Sequence, residues 1–107
     1  MIRGSCLCGN VSYQIDGQLG TITHCHCTKC RKAHGAAFST VANVQINKFQ
    51  FTSGTELLKS FESSPGKRRY FCVQCGSQIY AHREGQKHYI LRLGTLAERG
   101  TSELEGR

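Results

Sequence analysis

Apolar and polar residues alternate along most of this chain with a period of two. Val11, Tyr13 and Ile15 flank Ser12 and Gln14, which predicts a strand with one buried face. Asp16-Gly17 breaks that strand, and Thr21-Ile22-Thr23 forms a short β-prone run after Gly20. Residues 36–46 repeat the alternation, with Phe38, Thr40, Ala42, Val44 and Ile46 on one face. Phe49 and Phe51 begin another extended piece, which Ser53-Gly54 turns. Further strands are predicted over 57–61, 67–72, 77–82 and 88–93, the last with Tyr89, Leu91 and Leu93 on one face. Ser63-Ser64-Pro65-Gly66 and Glu84-Gly85 supply turns between them. Phe38 and Tyr80 fall at core positions of this pattern. Before the last eleven residues, which read as a short helix or a loose tail, a helical segment is expected only at 28–34, as a short turn ended by Gly35. The predicted fold is mostly β, a single domain over 1–95 with short helical turns, followed by a C-terminal tail over 96–107.

Composition adds a constraint. Of 107 residues 38% are hydrophobic, seven of these are cysteines, and there is no tryptophan. So small a core gains from a staple such as a structural metal. The formal charge of +7 suits solubility, an anionic small ligand or nucleic acid. Loading one four-thiolate and one three-thiolate zinc site lowers it to about +4. No stretch approaches the roughly 20 apolar residues of a membrane span, so no membrane partner is expected. Met1 to Ser5 contains no apolar signal-peptide core, and a reduced, cytoplasmic location is the expectation.

The chemistry lies in the cysteines, grouped as Cys6-x-Cys8, Cys25-x-Cys27-x-x-Cys30 and Cys72-x-x-Cys75. Their number is odd, and neither spacing suits a structural disulfide within a cluster, while both let two thiolates reach one ion. Cys72-Val73-Gln74-Cys75-Gly76 has the form of a zinc knuckle, a tight turn that points two sulfurs the same way. Cys6-Leu7-Cys8-Gly9 offers a second pair, also followed by glycine. Together the two pairs predict a closed, structural site. Cys25, Cys27 and Cys30 predict a second site with a position left for water or a ligand atom, and a soft thiolate suits that position. His24, His26 and His34 flank this cluster, and any one of them can close it. His26 alternates away from its neighbours in an extended segment, and His34 lies one helical turn past Cys30.

Three ordered motifs carry a resemblance. They are Gly4-Ser5-Cys6-Leu7-Cys8-Gly9, His24-Cys25-His26-Cys27-Thr28-Lys29-Cys30-Arg31, and the run from Ser63-Ser64-Pro65-Gly66 through Cys72-Val73-Gln74-Cys75 to Ser77. They resemble the glutathione-dependent formaldehyde-activating enzyme family, which includes the centromere protein V type. The resemblance implies an Mss4-like, zinc-stapled β-sheet domain. It implies structural zinc on Cys6, Cys8, Cys72 and Cys75 and a second, catalytic zinc on Cys25, Cys27 and Cys30. The implied activity is that of a carbon–sulfur lyase run toward S-hydroxymethylglutathione or a related thiol–aldehyde adduct. The implied partners are a glutathione-like thiol and an aldehyde. Carboxylates on such a thiol make Lys67, Arg68 and Arg69 candidate anchors, with Ser63, Ser64 and Gly66 as added donors. Strand neighbours face opposite ways, so one or two of these three cations reach any one pocket. The alternative is a non-catalytic, zinc-stabilised module for nucleic acid or protein. Dispersed basic residues and the lack of an aromatic stacking platform count against nucleic acid.

Overall fold

The computed structural model describes residues 1–97 as two antiparallel sheets. The smaller sheet contains β1 (Ile2–Ser5), β2 (Ser12–Ile15) and β5 (Phe49–Ser53), with β2 in the middle. The larger sheet takes β3 (Ile22–Cys25), β4 (Ser39–Gln45), β9 (His88–Arg92), β8 (Gln78–Arg83), β7 (Lys67–Cys72) and β6 (Leu58–Ser64), in that spatial order. One helix, α1 (Thr28–His34), connects β3 to β4 and ends at Gly35 with φ 60°. Its bounds are those the sequence predicts. Among the described residues no helix is long and apolar enough to cross a membrane.

Period-two alternation gives the large sheet two unlike faces. One face meets the small sheet, and Tyr13, Ile15, Ala42, Val44, Ile79, Tyr80, Leu91 and Leu93 pack between them. Tyr80 is buried as expected, stacked on Tyr70 at 4.5 Å. The opposite face receives Ser39, Val41, Arg69 and Arg92, all buried yet outside that apolar cluster. Cross-strand pairing places Cys25 opposite Ser39 and Val41 opposite Arg92. This outer face, covered in part by α1, is where the chemistry gathers.

The structure departs from the predicted elements at several points. β1 is a strand that the alternation did not reveal, because four residues with glycine and serine among them carry almost no pattern. β4 starts at Ser39 and gives way to a 3-10 turn at Ile46–Lys48, so residues 36–38 and Ile46 lie outside it. Phe38 is 41% exposed, not core, because it precedes the strand and lies beside His24 and His26. β6 runs on through Ser63 and Ser64, so Pro65-Gly66 alone makes the turn, with Gly66 at φ 79°. Of the segment expected as a tail, Leu96 bridges Gly4 and the Ala97 N–H donates to Arg3 O at 2.8 Å. Residues 98–107 lie outside the described residues.

Two glycines separate backbone strain from steric clash. Gly54 (φ 82°) has the Asn10 carbonyl where a Cβ would stand, whereas Gly85 (φ 88°) has open space. Gly85→Ala should cost about 1 kcal/mol from the left-handed conformation alone. Gly54→Ala adds a backbone clash and should cost roughly 2–4 kcal/mol. Urea unfolding midpoints check the order, and equal losses would contradict it.

Candidate metal centres

Two loops build the first centre. Cys6-Leu7-Cys8-Gly9 follows β1, and Cys72-Val73-Gln74-Cys75-Gly76 leaves β7. Each folds back on itself: the Gly9 N–H donates to Cys6 O at 3.1 Å and the Gly76 N–H to Cys72 O at 2.8 Å. Gly9 (φ 84°) and Gly76 (φ 79°) adopt the left-handed backbone that lets the turns close. The Sγ atoms of Cys6, Cys8, Cys72 and Cys75 all lie within 4.8 Å of one another. Cys6–Cys8 is 3.5 Å and Cys8–Cys72 3.9 Å. A tetrahedron with bonds near 2.3 Å spaces its sulfurs about 3.8 Å apart, so these four fit zinc.

The second centre comes from one continuous stretch. Cys25 ends β3, Cys27 caps α1, and Cys30 sits buried in its first turn. The Cys30 N–H points at Cys27 Sγ, 3.4 Å away. Cys25 and Cys27 sulfurs are 3.6 Å apart, and all three lie within 4.8 Å of one another. Among the described residues no histidine nitrogen or carboxylate oxygen joins either group. His24 and His26 instead pack on Phe38, with ring centres at 4.8 and 5.1 Å. The first donor set is complete for tetrahedral zinc, and among the described residues the second lacks one donor.

Electrostatics separate the sulfurs within each centre. Clustered thiols cannot all ionise without a cation, so their pKa values spread. At the first centre the Ser77 hydroxyl holds Cys75 down to about 5. The Asn10 amide lowers Cys8, but burial and the neighbouring thiols outweigh it and push Cys8 up to about 11. At the second, burial acts to raise Cys30, yet Cys25, Ser39, Cys27 and Arg69 together bring it down to about 6. Arg69 is 3% exposed, and its Nη1 and Nη2 both lie 3.8 Å from Cys30 Sγ. Its Nε donates to Ser63 Oγ at 2.9 Å.

The basic run of β7 divides between the two faces. Lys67 and Arg69 share the outer face by alternation, and burial followed by Arg69 pulls the Lys67 pKa below its usual value. Arg68 lies opposite, 4.0 Å from Glu62 and bonded to Ser60 Oγ at 3.0 Å. The Gly66 N–H is taken by the same Glu62 carboxylate at 3.0 Å, and half-buried Ser64 pairs with Lys67 across the turn.

Sequence reasoning missed Ser77 and Arg92. Ser77 Oγ accepts the Leu7 N–H at 2.8 Å and lies 3.4 Å from Cys75 Sγ, joining the two knuckles. Its place two residues past Cys75 was the available signal. Ser77→Ala should weaken metal retention at the first centre about tenfold, as loss of outer-shell support does. Chelator competition checks this, and an unchanged release would remove Ser77 from that role.

Comparison with known proteins follows the same lines. The family model described as glutathione-dependent formaldehyde-activating enzyme matches residues 1–106. Two relatives from Aspergillus flavus and Aspergillus oryzae, whose names provisionally assign them that same activity, are each 30% identical over 81 residues. The match covers 74% of this chain and 42% of each relative, so the chain spans less than half their length. The crystal structure of a Rhodobacter sphaeroides protein superposes with a TM-score of 0.78 at 20% identity, over 98% of this chain and 95% of that one. That likeness shows the fold.

Proposed function

We propose, since this chain belongs to the glutathione-dependent formaldehyde-activating enzyme family, that it joins a glutathione-like thiol to formaldehyde or a related aldehyde as a zinc-dependent carbon–sulfur lyase run toward its adduct. The carrying observation is the second centre: three convergent sulfurs with no fourth protein donor among the described residues, beside a buried arginine. Zinc on Cys25, Cys27 and Cys30 would leave a position for an incoming sulfur and would favour its thiolate form. Zinc on Cys6, Cys8, Cys72 and Cys75 would staple the fold.

The protein's own residues supply charge balance and placement. Arg69 offsets the excess negative charge of the sulfur cluster from a fixed, buried position. Lys67, on the same face and paired with Ser64 across the hairpin, anchors a substrate carboxylate, while Arg68 lies on the other face and Glu62 takes the Gly66 N–H. Holding thiol and aldehyde together supplies much of the acceleration, because the two also combine unaided. One carbon–sulfur bond forms, the carbonyl π bond opens, and the thiol proton ends on the former aldehyde oxygen. Nothing is oxidised or reduced.

The test is NMR exchange between ¹³C-formaldehyde hydrate and its glutathione adduct. Wild-type protein should speed the exchange, and Cys27→Ala should not. A wild-type rate equal to the protein-free rate, with both zincs present, would refute the activity. Steeply salt-dependent DNA binding would instead favour the nucleic-acid alternative.

A further inference from the structure

Among the described residues, all the unpartnered buried side-chain polar atoms but Gln86 Oε1 gather at one place. His34 Nε2, Ser39 Oγ, Gln78 Oε1 and the Nε and Nη2 of Arg92 lack hydrogen-bond partners among the described residues. All four residues line one cavity of about 470 Å³. It lies between α1 and the ends of β4, β8 and β9, and it reaches Gly76-Ser77 beside the first metal centre. Among the described residues no Asp or Glu lines it.

Arg92 is the unusual member. It is 4% exposed, and burial followed by the nearby Arg69 lowers its pKa only to about 10, so it stays charged at neutral pH. A buried guanidinium without an adjoining anion is costly. Arg69 contacts the Cys30 sulfur directly, whereas Arg92 feels the three sulfurs only through space. The two free nitrogens of Arg92 are the pair on one edge of the guanidinium, whose parallel N–H bonds match the two oxygens of a carboxylate. Ser39, strand partner of Cys25, adds a hydroxyl; it is near enough to Cys30 to help lower that thiol, yet makes no well-formed hydrogen bond. Gln78 offers an acceptor for an N–H.

We propose that this cavity is a carboxylate-binding subsite of the second metal centre, with Arg92 as its anchoring fork, Ser39 as a further donor and Gln78 as acceptor. The ligand class is a thiol that carries a carboxylate close to an amide or amine N–H. This rests on the proposed function only in linking the cavity to a thiol at Cys25, Cys27 and Cys30.

Calorimetric titration with S-methylglutathione isolates the cavity, because the ligand's sulfur is blocked. Wild type should bind it, its diethyl ester should not bind, and Arg92→Lys should weaken it about 10–100-fold through loss of the fork. Binding of 2-mercaptoethanol, a thiol without a carboxylate, should be equal in wild type and Arg92→Lys. No binding of S-methylglutathione, full affinity of the ester, or equal affinity in the variant would each overturn the subsite. So would an Arg92→Lys protein that loses zinc but keeps S-methylglutathione affinity, since Arg92 would then serve the sulfurs alone. Arg92-dependent binding of S-methylglutathione without any binding of 2-mercaptoethanol keeps the subsite and removes the thiol site. If Arg92→Lys does not fold, the Arg92 Nε–H resonance of wild type decides. It should shift on addition of S-methylglutathione, and a stationary signal would overturn the assignment.

Discussion

Cys72→Ala should leave the chain unfolded at 25 °C, with collapsed amide dispersion and no cooperative melt. Cys72 is fully buried, ends β7, and belongs both to the apolar core and to the first metal centre. A structural zinc contributes roughly 10–16 kcal/mol of apparent binding energy that is also folding energy. A domain of this size has about 5–15 kcal/mol of net stability, so a weakened site removes most or all of it. The centre also joins β1–β2 to β7–β8, two loops 63 or more residues apart that belong to different sheets. Exhaustive chelation of wild type should reach the same state. A Cys72→Ala protein melting within about 5 °C of wild type would show that the core suffices without the staple.

Cys27→Ala should behave in the opposite way. Cys27 is exposed, and its structural duty is to cap a seven-residue helix. Losing a cap costs about 1 kcal/mol, a shift of roughly 4–8 °C in Tm for a small domain. The second centre keeps only Cys25 and Cys30, too few for tight zinc binding. Bound zinc should fall from two to one per chain, and glutathione binding and adduct formation should fall to background. Native mass spectrometry, thermal melts and exchange NMR together check this. If Cys27→Ala unfolds as completely as Cys72→Ala, the division between a stapling centre and a reacting centre is wrong.

The two predictions differ because of features legible at different levels. Cysteine spacing is local chemistry: C-x-C and C-x-x-C bring sulfurs together by turn geometry, whatever the rest of the chain does. The partition into four and three is therefore visible in the residue order, as are most strands, α1 with its Gly35 stop, and the turns at Gly54, Gly66 and Gly85. The strand period also shows which of Lys67, Arg68 and Arg69 share a side, but not what lies on that side.

Tertiary structure decided the rest. The spatial order β3-β4-β9-β8-β7-β6 departs from chain order, so residues 25, 39, 69 and 92 become neighbours only through cross-strand register. Arg92 sits in an alternating strand and reads there as an ordinary outward cation; α1 laid over that face turns it into a buried charge beside a cavity. Ser77 reads as the first residue of a strand until the folded knuckles bring Leu7 to it. Phe38 looks like core until the strand begins one residue later and leaves it against two histidines. Which sulfurs converge within one cluster follows from short-range covalent reach, whereas bringing Cys6 and Cys8 to Cys72 and Cys75 takes the fold. Which charges and donors surround each centre follows from long-range pairing, and the residue order alone does not contain it.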